Sequence, residues 1–306
     1  MVFLCFPEIG LAEVRYQKEV EGDASEMVYL LLAIICSALV SVCMRLSETH
    51  IHNNMVMFTA NYAICLAISL LYTDRAQFLD FTSGMARAAI LGIVSGFLYL
   101  INFVLLQKNI LLNGVILSSA AMKLGSVLIP VAAAVTLFHE DLGWMRLAGV
   151  VSAAASVLLI NGEKTDASGD GKRYWLMILL FASGVTDMMA NVYDKTGAGA
   201  FKNHYLAFTF LAAMAISLVM ALVRKETPAL PDILCGILIG VPNYFSARFL
   251  LLALGDVAAV VTYPVFSVGT IIVITTVGVL AFREKLTRQK KCALVLILAA
   301  LALLNV

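Results

Sequence analysis

The sequence predicts an all-α membrane protein: ten transmembrane helices arranged as two inverted five-helix repeats. Three observations predict it. Of 306 residues, 61% are hydrophobic and 13% are charged, against about half and about a quarter in a soluble domain. The apolar residues fall in regular runs of a length that spans a bilayer, which takes about 20 residues per helix. One stretch also occurs twice. SSAAMKLGSVLIPVAAAVTLFHEDLGWM from Ser118 and TYPVFSVGTIIVITTVGVLAFREKLTRQ from Thr262 register without a gap at an offset of 144.

The first 26 residues stand apart. MVFLCFPEIG is too short to span, and AEVRYQKEVEGDASE is charged. Residues 1–26 are expected to form a non-spanning segment. They lack the basic start, apolar core and small-residue cleavage site of a secretory signal. Met27 followed by VYLLLAIIC would itself be a natural start; N-terminal mass analysis tests whether translation begins there.

The apolar runs place helices near 27–46, 55–73, 85–107, 114–138 and 144–162, then near 174–194, 203–223, 231–254, 257–281 and 289–305. Backbone polar groups in lipid must be bonded within the segment, so these runs are helices. The polar connector NGEKTDASGDGKR, 161–173, divides a first repeat, 27–162, from a second, 174–306.

The offset of 144 pairs Gly125 with Gly269, Phe138 with Phe282, Glu140 with Glu284, Leu142 with Leu286 and Asn161 with Asn305. It also pairs Gly92 and Gly96 with Gly236 and Gly240. Small residues four apart let helices approach closely in a bilayer. At an offset of 146, Ser37, Ser41 and Arg45 fall on Ser183, Asp187 and Asn191, each trio along one helix face. An odd number of spans per half makes the halves enter the membrane in opposite directions, a secondary-transporter pattern with a site near the midplane.

LIPVAAAVTLFHEDLGWMRLAGVVSAAASVLLI and PVFSVGTIIVITTVGVLAFREKLTRQKKCALVLILAALAL carry a resemblance. With their apolar helix, Glu-x-Leu hairpin and final small-residue helix, they resemble the drug/metabolite transporter superfamily, in its ten-helix EamA-like branch. The resemblance covers roughly 27–306. It departs at Ala293, the counterpart of Gly149, and at Ala120, the counterpart of Pro264. It implies both termini in the cytoplasm. Lys and Arg outside the spans or in their end turns number seven on the side of the N-terminus and twelve on the other, which the positive-inside rule reads the opposite way.

Charges in the hydrocarbon zone cost about 2.5–3.5 kcal/mol each on insertion scales and mark functional sites by default. Three qualify: Lys123, Asp187 and Arg248. Ser119, Lys123 and Ser126 share one face; Ser183, Asp187, Asn191 and Asp194 share another. The substrate-binding candidates are Lys123, Asp187, Asn191, Arg248, Asn243, Asn102, Tyr99 and Tyr263. Asp187 is the candidate proton carrier. Against this stands a bland reading, an internal ion pair that only orders the bundle. None of the three charges recurs in the other half: Lys123 corresponds to Ser267, Asp187 to Ser41 and Arg248 to Val104. That favours specialisation over scaffolding. Pro242 and Pro264 could open backbone carbonyls to a ligand. Glu140 and Glu284 read as hairpin architecture, suited to helix N-termini.

The six cysteines form no CxxC pair and read as small buried residues. The four histidines sit at helix ends and read as surface or interfacial groups. No metal and no cofactor are expected. Walker A, HExxH and GxSxG sequences are absent, so ATP drive and these enzyme classes are unsupported. No basic, aromatic-interleaved patch suggests nucleic acid. The expected function is secondary transport of a small organic metabolite or drug-like solute by alternating access, read as export across the plasma (inner) membrane. The expected partners are a small-molecule substrate and the lipid bilayer, with a homodimer left open. A membrane-embedded enzyme and a non-transporting scaffold are the competing readings.

Overall fold

In a computed structural model, residues 28–74, 83–138, 170–256, 259–284 and 288–303 are described, with a few residues between 144 and 155. Among the described residues there are nine α-helices with described bounds, helical residues between 144 and 155, and no strand. They are α1 (Val28–Ser47), α2 (Asn54–Leu71), α3 (Ser83–Asn113), α4 (Val115–Phe138) and α5 (Asp170–Thr196). After the 3-10 turn Gly199–Phe201 come α6 (Lys202–Val223), α7 (Leu230–Asp256), α8 (Ala259–Leu280) and α9 (Arg288–Leu303). Among the described residues, five segments are long and apolar enough to cross a membrane: α1, α2, α3, the turn with α6, and α7 through Ala253. Of the expected helix 144–162, residues 144–145, 148–149, 151–152 and 155 are helical. The remainder of that helix, residues 1–27 and Glu140 lie outside the described residues.

Apolar side chains cover the outside as well as the core. On α1, Leu31, Ile35 and Leu39 are exposed while Ala33, Ser37 and Ser41 are buried. Both sets follow the helical repeat of four. Small and polar residues are thus kept inside, while large apolar ones stand on the outer face as well as in the core, as lipid as solvent allows. The core centres on Tyr62, Phe103, Phe210 and Tyr244, whose rings meet at centroid distances of 5.8–6.5 Å.

Glycines set the closest helix contacts. A Cβ on Gly92 would stand 2.7 Å from Phe208 Cβ and 2.9 Å from the Tyr205 carbonyl oxygen, so α3 and α6 pack nearly backbone to backbone. Gly96 meets Thr209 and Ala212 one turn on. Gly236 meets Met57 and Ala60, and Gly240 meets Asn61 and Ile64, so α7 packs on α2 in the same way. Gly125 lies against Leu180 on α5, while Gly269 lies against Ile34 on α1. The chain directions follow from the partners. α3 and α6 are parallel, as are α2 and α7. Between α2 and α6 the order reverses: Thr59 donates to Ser217 Oγ at 3.1 Å, Ser69 to the Asn203 carbonyl at 3.4 Å. These two helices are antiparallel.

Several boundaries differ from the sequence reading. α3 runs to Asn113 rather than 107, because its polar last turns find partners. Lys108 Nζ sits 3.2 Å from the Trp175 ring centroid, and Asn109 Nδ2 donates to the Leu105 and Trp175 carbonyls at 2.8 and 2.9 Å. Gly114 then ends the helix at φ 85°, with its N–H donating to the Ile110 carbonyl at 2.9 Å. A left-handed residue at this position is the usual helix stop, and glycine adopts it without strain. α5 begins at Asp170, inside the polar connector. α7 runs unbroken through Pro242. Two single-residue expectations also change. His204 is buried, with Nε2 at 3.2 Å from the Asp74 carbonyl oxygen, and Cys292 is exposed.

The two carboxylates on the loop before α7 and at its start serve another helix. Asp232 accepts from the His52 N–H at 2.7 Å and the Asn53 N–H at 3.2 Å. Glu226 accepts from the Met55 and Val56 N–H groups at 3.0 and 3.3 Å. Together they satisfy the N-terminus of α2, where orphan donors and the helix dipole favour negative charge. Glu284 does the same for α4, accepting from Val115 N–H at 2.8 Å and Ile116 N–H at 3.3 Å. The helix it caps is therefore α4 and not its own neighbour α9.

Candidate functional site

A cavity of about 80 Å³ lies between α1, α3, α4, α5, α7 and α8. That is room for several waters, since one needs about 10–15 Å³ by this measure. α3 contributes Tyr99, Asn102, Phe103 and Leu106, and α7 contributes Asn243, Ser246, Ala247 and Leu250. Both sets follow the spacing i, i+3, i+4, i+7, so each is one helical face turned inward. Ser37, Val40 and Ser41 come from α1, Thr186 and Asp187 from α5, Met122 and Lys123 from α4, and Phe266 from α8.

Five of the eight sequence candidates line this space: Tyr99, Asn102, Lys123, Asp187 and Asn243. Lys123 is 4% exposed, and its Nζ stands 3.7 Å from the Phe266 ring centroid, a cation–π contact. Asp187 interacts electrostatically with Lys123 and lies near Ser126, whose hydroxyl donates to the Met122 carbonyl at 3.1 Å. The two charges are not an ion pair: among the described residues, those within 4.0 Å are Arg45–Glu48, His52–Asp232 and Arg224–Glu226. Asn102 Oδ1 is buried with no hydrogen-bond partner. Asn243 Nδ2 donates to Asn61 Oδ1 at 3.3 Å, which holds its amide against α2.

The other three candidates stand elsewhere. Arg248 is turned toward the C-terminal end of α2. Its guanidinium lies 3.7 Å from the Tyr72 ring centroid, and Nη1 donates to Tyr244 OH at 3.1 Å and to Asn203 Oδ1 at 3.3 Å. Tyr263 is buried, and its OH donates to the Asp187 backbone carbonyl at 3.4 Å. It braces α5 rather than lining the cavity. The Asn191 and Asp194 side chains lie outside the described residues.

Sequence reasoning leaves out Phe266, Ser37, Ser41 and Thr186 as site residues, while Ser246, the counterpart of Asn102, is a softer candidate that does line the cavity. A signal for most of them is present, because the lining follows the two repeat offsets. At 144, Tyr99 corresponds to Asn243, Asn102 to Ser246, Phe103 to Ala247, Leu106 to Leu250 and Met122 to Phe266. At 146, Val40 corresponds to Thr186 and Ser41 to Asp187. Only Ser37 and Lys123 line the cavity without their counterparts, Ser183 and Ser267. Ser183 instead donates to the Met122 carbonyl at 2.8 Å, and Ser267 is buried with its Oγ unpartnered. Phe266 follows from no polarity argument; only its place under the Lys123 ammonium explains it.

No family model matches the chain. An uncharacterized protein of Haemophilus influenzae is 25% identical over 281 residues, covering 89% of this chain and 95% of that protein. A protein of known crystal structure is similar at a TM-score of 0.61 and 14% identity, over 92% of this chain and 96% of the other. That likeness extends to the fold.

Proposed function

We propose that the chain is a secondary transporter of a small organic solute, working by alternating access between two inverted five-helix repeats. On this reading it belongs with the ten-helix drug/metabolite transporters that its sequence resembles, and it exports its solute across the plasma (inner) membrane. The observation that carries the reading is the cavity. Seven pairs of corresponding residues line it, and the two opposite charges within it, Lys123 and Asp187, stand where the other half has serine, Ser267 and Ser41. A site on the axis relating two halves is the arrangement in which each half can rock to open one side in turn.

Two further observations support it. α2 and α6 are corresponding helices, and they are antiparallel, the relation an inverted repeat requires. The glycine contacts exchange between the halves. Gly92 on α3 meets α6, and its counterpart Gly236 on α7 meets α2, with partners Tyr205 and Met57 and partners Phe208 and Ala60 at the same spacing of 148. Charge held in an apolar bundle costs stability, and a scaffold alone gives no reason to keep two opposite charges apart.

Reconstitution into sealed vesicles tests the proposal. A gradient of the solute should drive counterflow without ATP. Lys123→Met and Asp187→Asn should each abolish it while leaving the protein folded. Flux unchanged in both variants would remove the site; absence of any solute flux from a broad metabolite mixture would remove the transporter.

A further inference from the structure

We infer that the cavity selects a compact zwitterion, one ammonium and one carboxylate on a short frame, with Lys123 taking the carboxylate and Asp187 the ammonium. This rests on the transporter reading of the same cavity and adds the substrate class. The sequence alone offers one acid and two bases within the spans, a balance that suits an anion as well as a zwitterion. The structure removes one base. Arg248 is engaged by Tyr72, Tyr244 and Asn203 and does not line the cavity. What remains at the cavity is one basic and one acidic side chain.

These two groups are held apart. They interact across the space without being within 4.0 Å of each other. A monoanion would satisfy Lys123 and leave Asp187 facing an added negative charge; a monocation would do the reverse. Uncompensated charge in a desolvated site is costly, whereas an ion with both charges compensates both residues at once. The size of the space, about 80 Å³, keeps the frame short.

The experiment uses the full-length protein purified in detergent near neutral pH, with binding read by calorimetry. The probes are glycine, β-alanine and γ-aminobutyrate, which separate the two charges by increasing distances, with propionate and propylamine as single-charge controls. At least one zwitterion should bind roughly tenfold or more tightly than both controls, since leaving a buried charge unpaired costs at least one such factor. Lys123→Met should reduce that zwitterion to the level of propylamine, and Asp187→Asn to the level of propionate. Exchanging the pair, Lys123→Asp with Asp187→Lys, should restore binding. Propionate or propylamine binding as well as the best zwitterion would overturn the inference, as would no zwitterion binding at all. The comparison among probes is made on the unmodified protein and does not depend on any variant folding. If cavity-dependent flux of another solute occurs while zwitterions fail to bind, the substrate class falls and the transporter stands. If a zwitterion binds as described and no flux follows, the transporter falls and the binding site stands.

Discussion

Glu284 accepts hydrogen bonds from the Val115 and Ile116 backbone N–H groups at 2.8 and 3.3 Å, and so ties the hairpin after α8 to the start of α4. Gly114 makes this fit. A Cβ there would stand 2.9 Å from the Glu284 carboxylate, and the backbone is already in the left-handed region. Glu284→Ala should lower stability by about 0.5–2 kcal/mol, the range for loss of an N-terminal cap. Gly114→Ala should cost about 1–2 kcal/mol from the positive φ alone. Thermal unfolding of purified variants measures both; no change in either would detach the hairpin from α4.

Gly96 and Gly240 bring backbones together at the two corresponding helix pairs, α3 with α6 and α7 with α2. Gly96→Val and Gly240→Val should each destabilise by about 1–3 kcal/mol, because the backbone partner cannot swing aside as a side chain can. Similar losses from the two substitutions are expected from the matched geometry. Chemical or thermal denaturation in lipid nanodiscs reads the difference.

The Glu48 side chain is 7% exposed at the end of α1, paired with Arg45. Burial is the main influence on its carboxyl and raises its pKa; Arg45 opposes this, and the nearby Glu284 adds to it. A carboxyl raised in the folded state binds its proton more tightly there than in the unfolded chain. The penalty is fully present above the folded pKa. It is relieved as pH falls through that value toward the ordinary glutamate value of about 4.3. The contribution of this group to stability should therefore improve on mild acidification, and Glu48→Gln should remove that component. Melting temperature against pH for the two proteins is the measurement; parallel curves would refute it.

Arg248 separates charge from site. Arg248→Lys keeps the charge but loses the guanidinium's contact with the Tyr72 ring and the two hydrogen bonds that Nη1 donates to Tyr244 and Asn203. It should cost about 1 kcal/mol of stability, the size of a partly desolvated cation–π contact. Solute affinity at the cavity should change by less than about threefold, since a residue off the site contributes little. A loss comparable to that of Lys123→Met would return Arg248 to the proposed site.

Part of the candidate site is legible in the sequence offsets themselves. Lys123 and Asp187 stand out because charge is rare in apolar helices, and the offsets then point to Ser41, Ser246 and Thr186 once one lining set is known. Arg248 is not legible in this way. At helical spacing it sits one turn from Tyr244 and close to Ser246 and Ala247, so the helix alone cannot say which way a long side chain turns. Tyr72 and Asn203 decide that, and they belong to other helices. Tyr263 shows the same limit: its hydroxyl serves the backbone of α5, a partner 76 positions away.

Local chemistry along the chain dictates the apolar helical class, the paired offsets, the close-packing glycines and the two charges that the interior must accommodate. Lipid-length apolar runs, residue size and the cost of charge suffice for each. The packed bundle alone brings Lys123 and Asp187 to one cavity without pairing them. It sets Phe266 under the ammonium, turns Arg248 away and makes Glu284 the cap of α4. These outcomes depend on distances between helices far apart in the chain. Packing sets those distances, through glycine contacts that the sequence announces but does not orient.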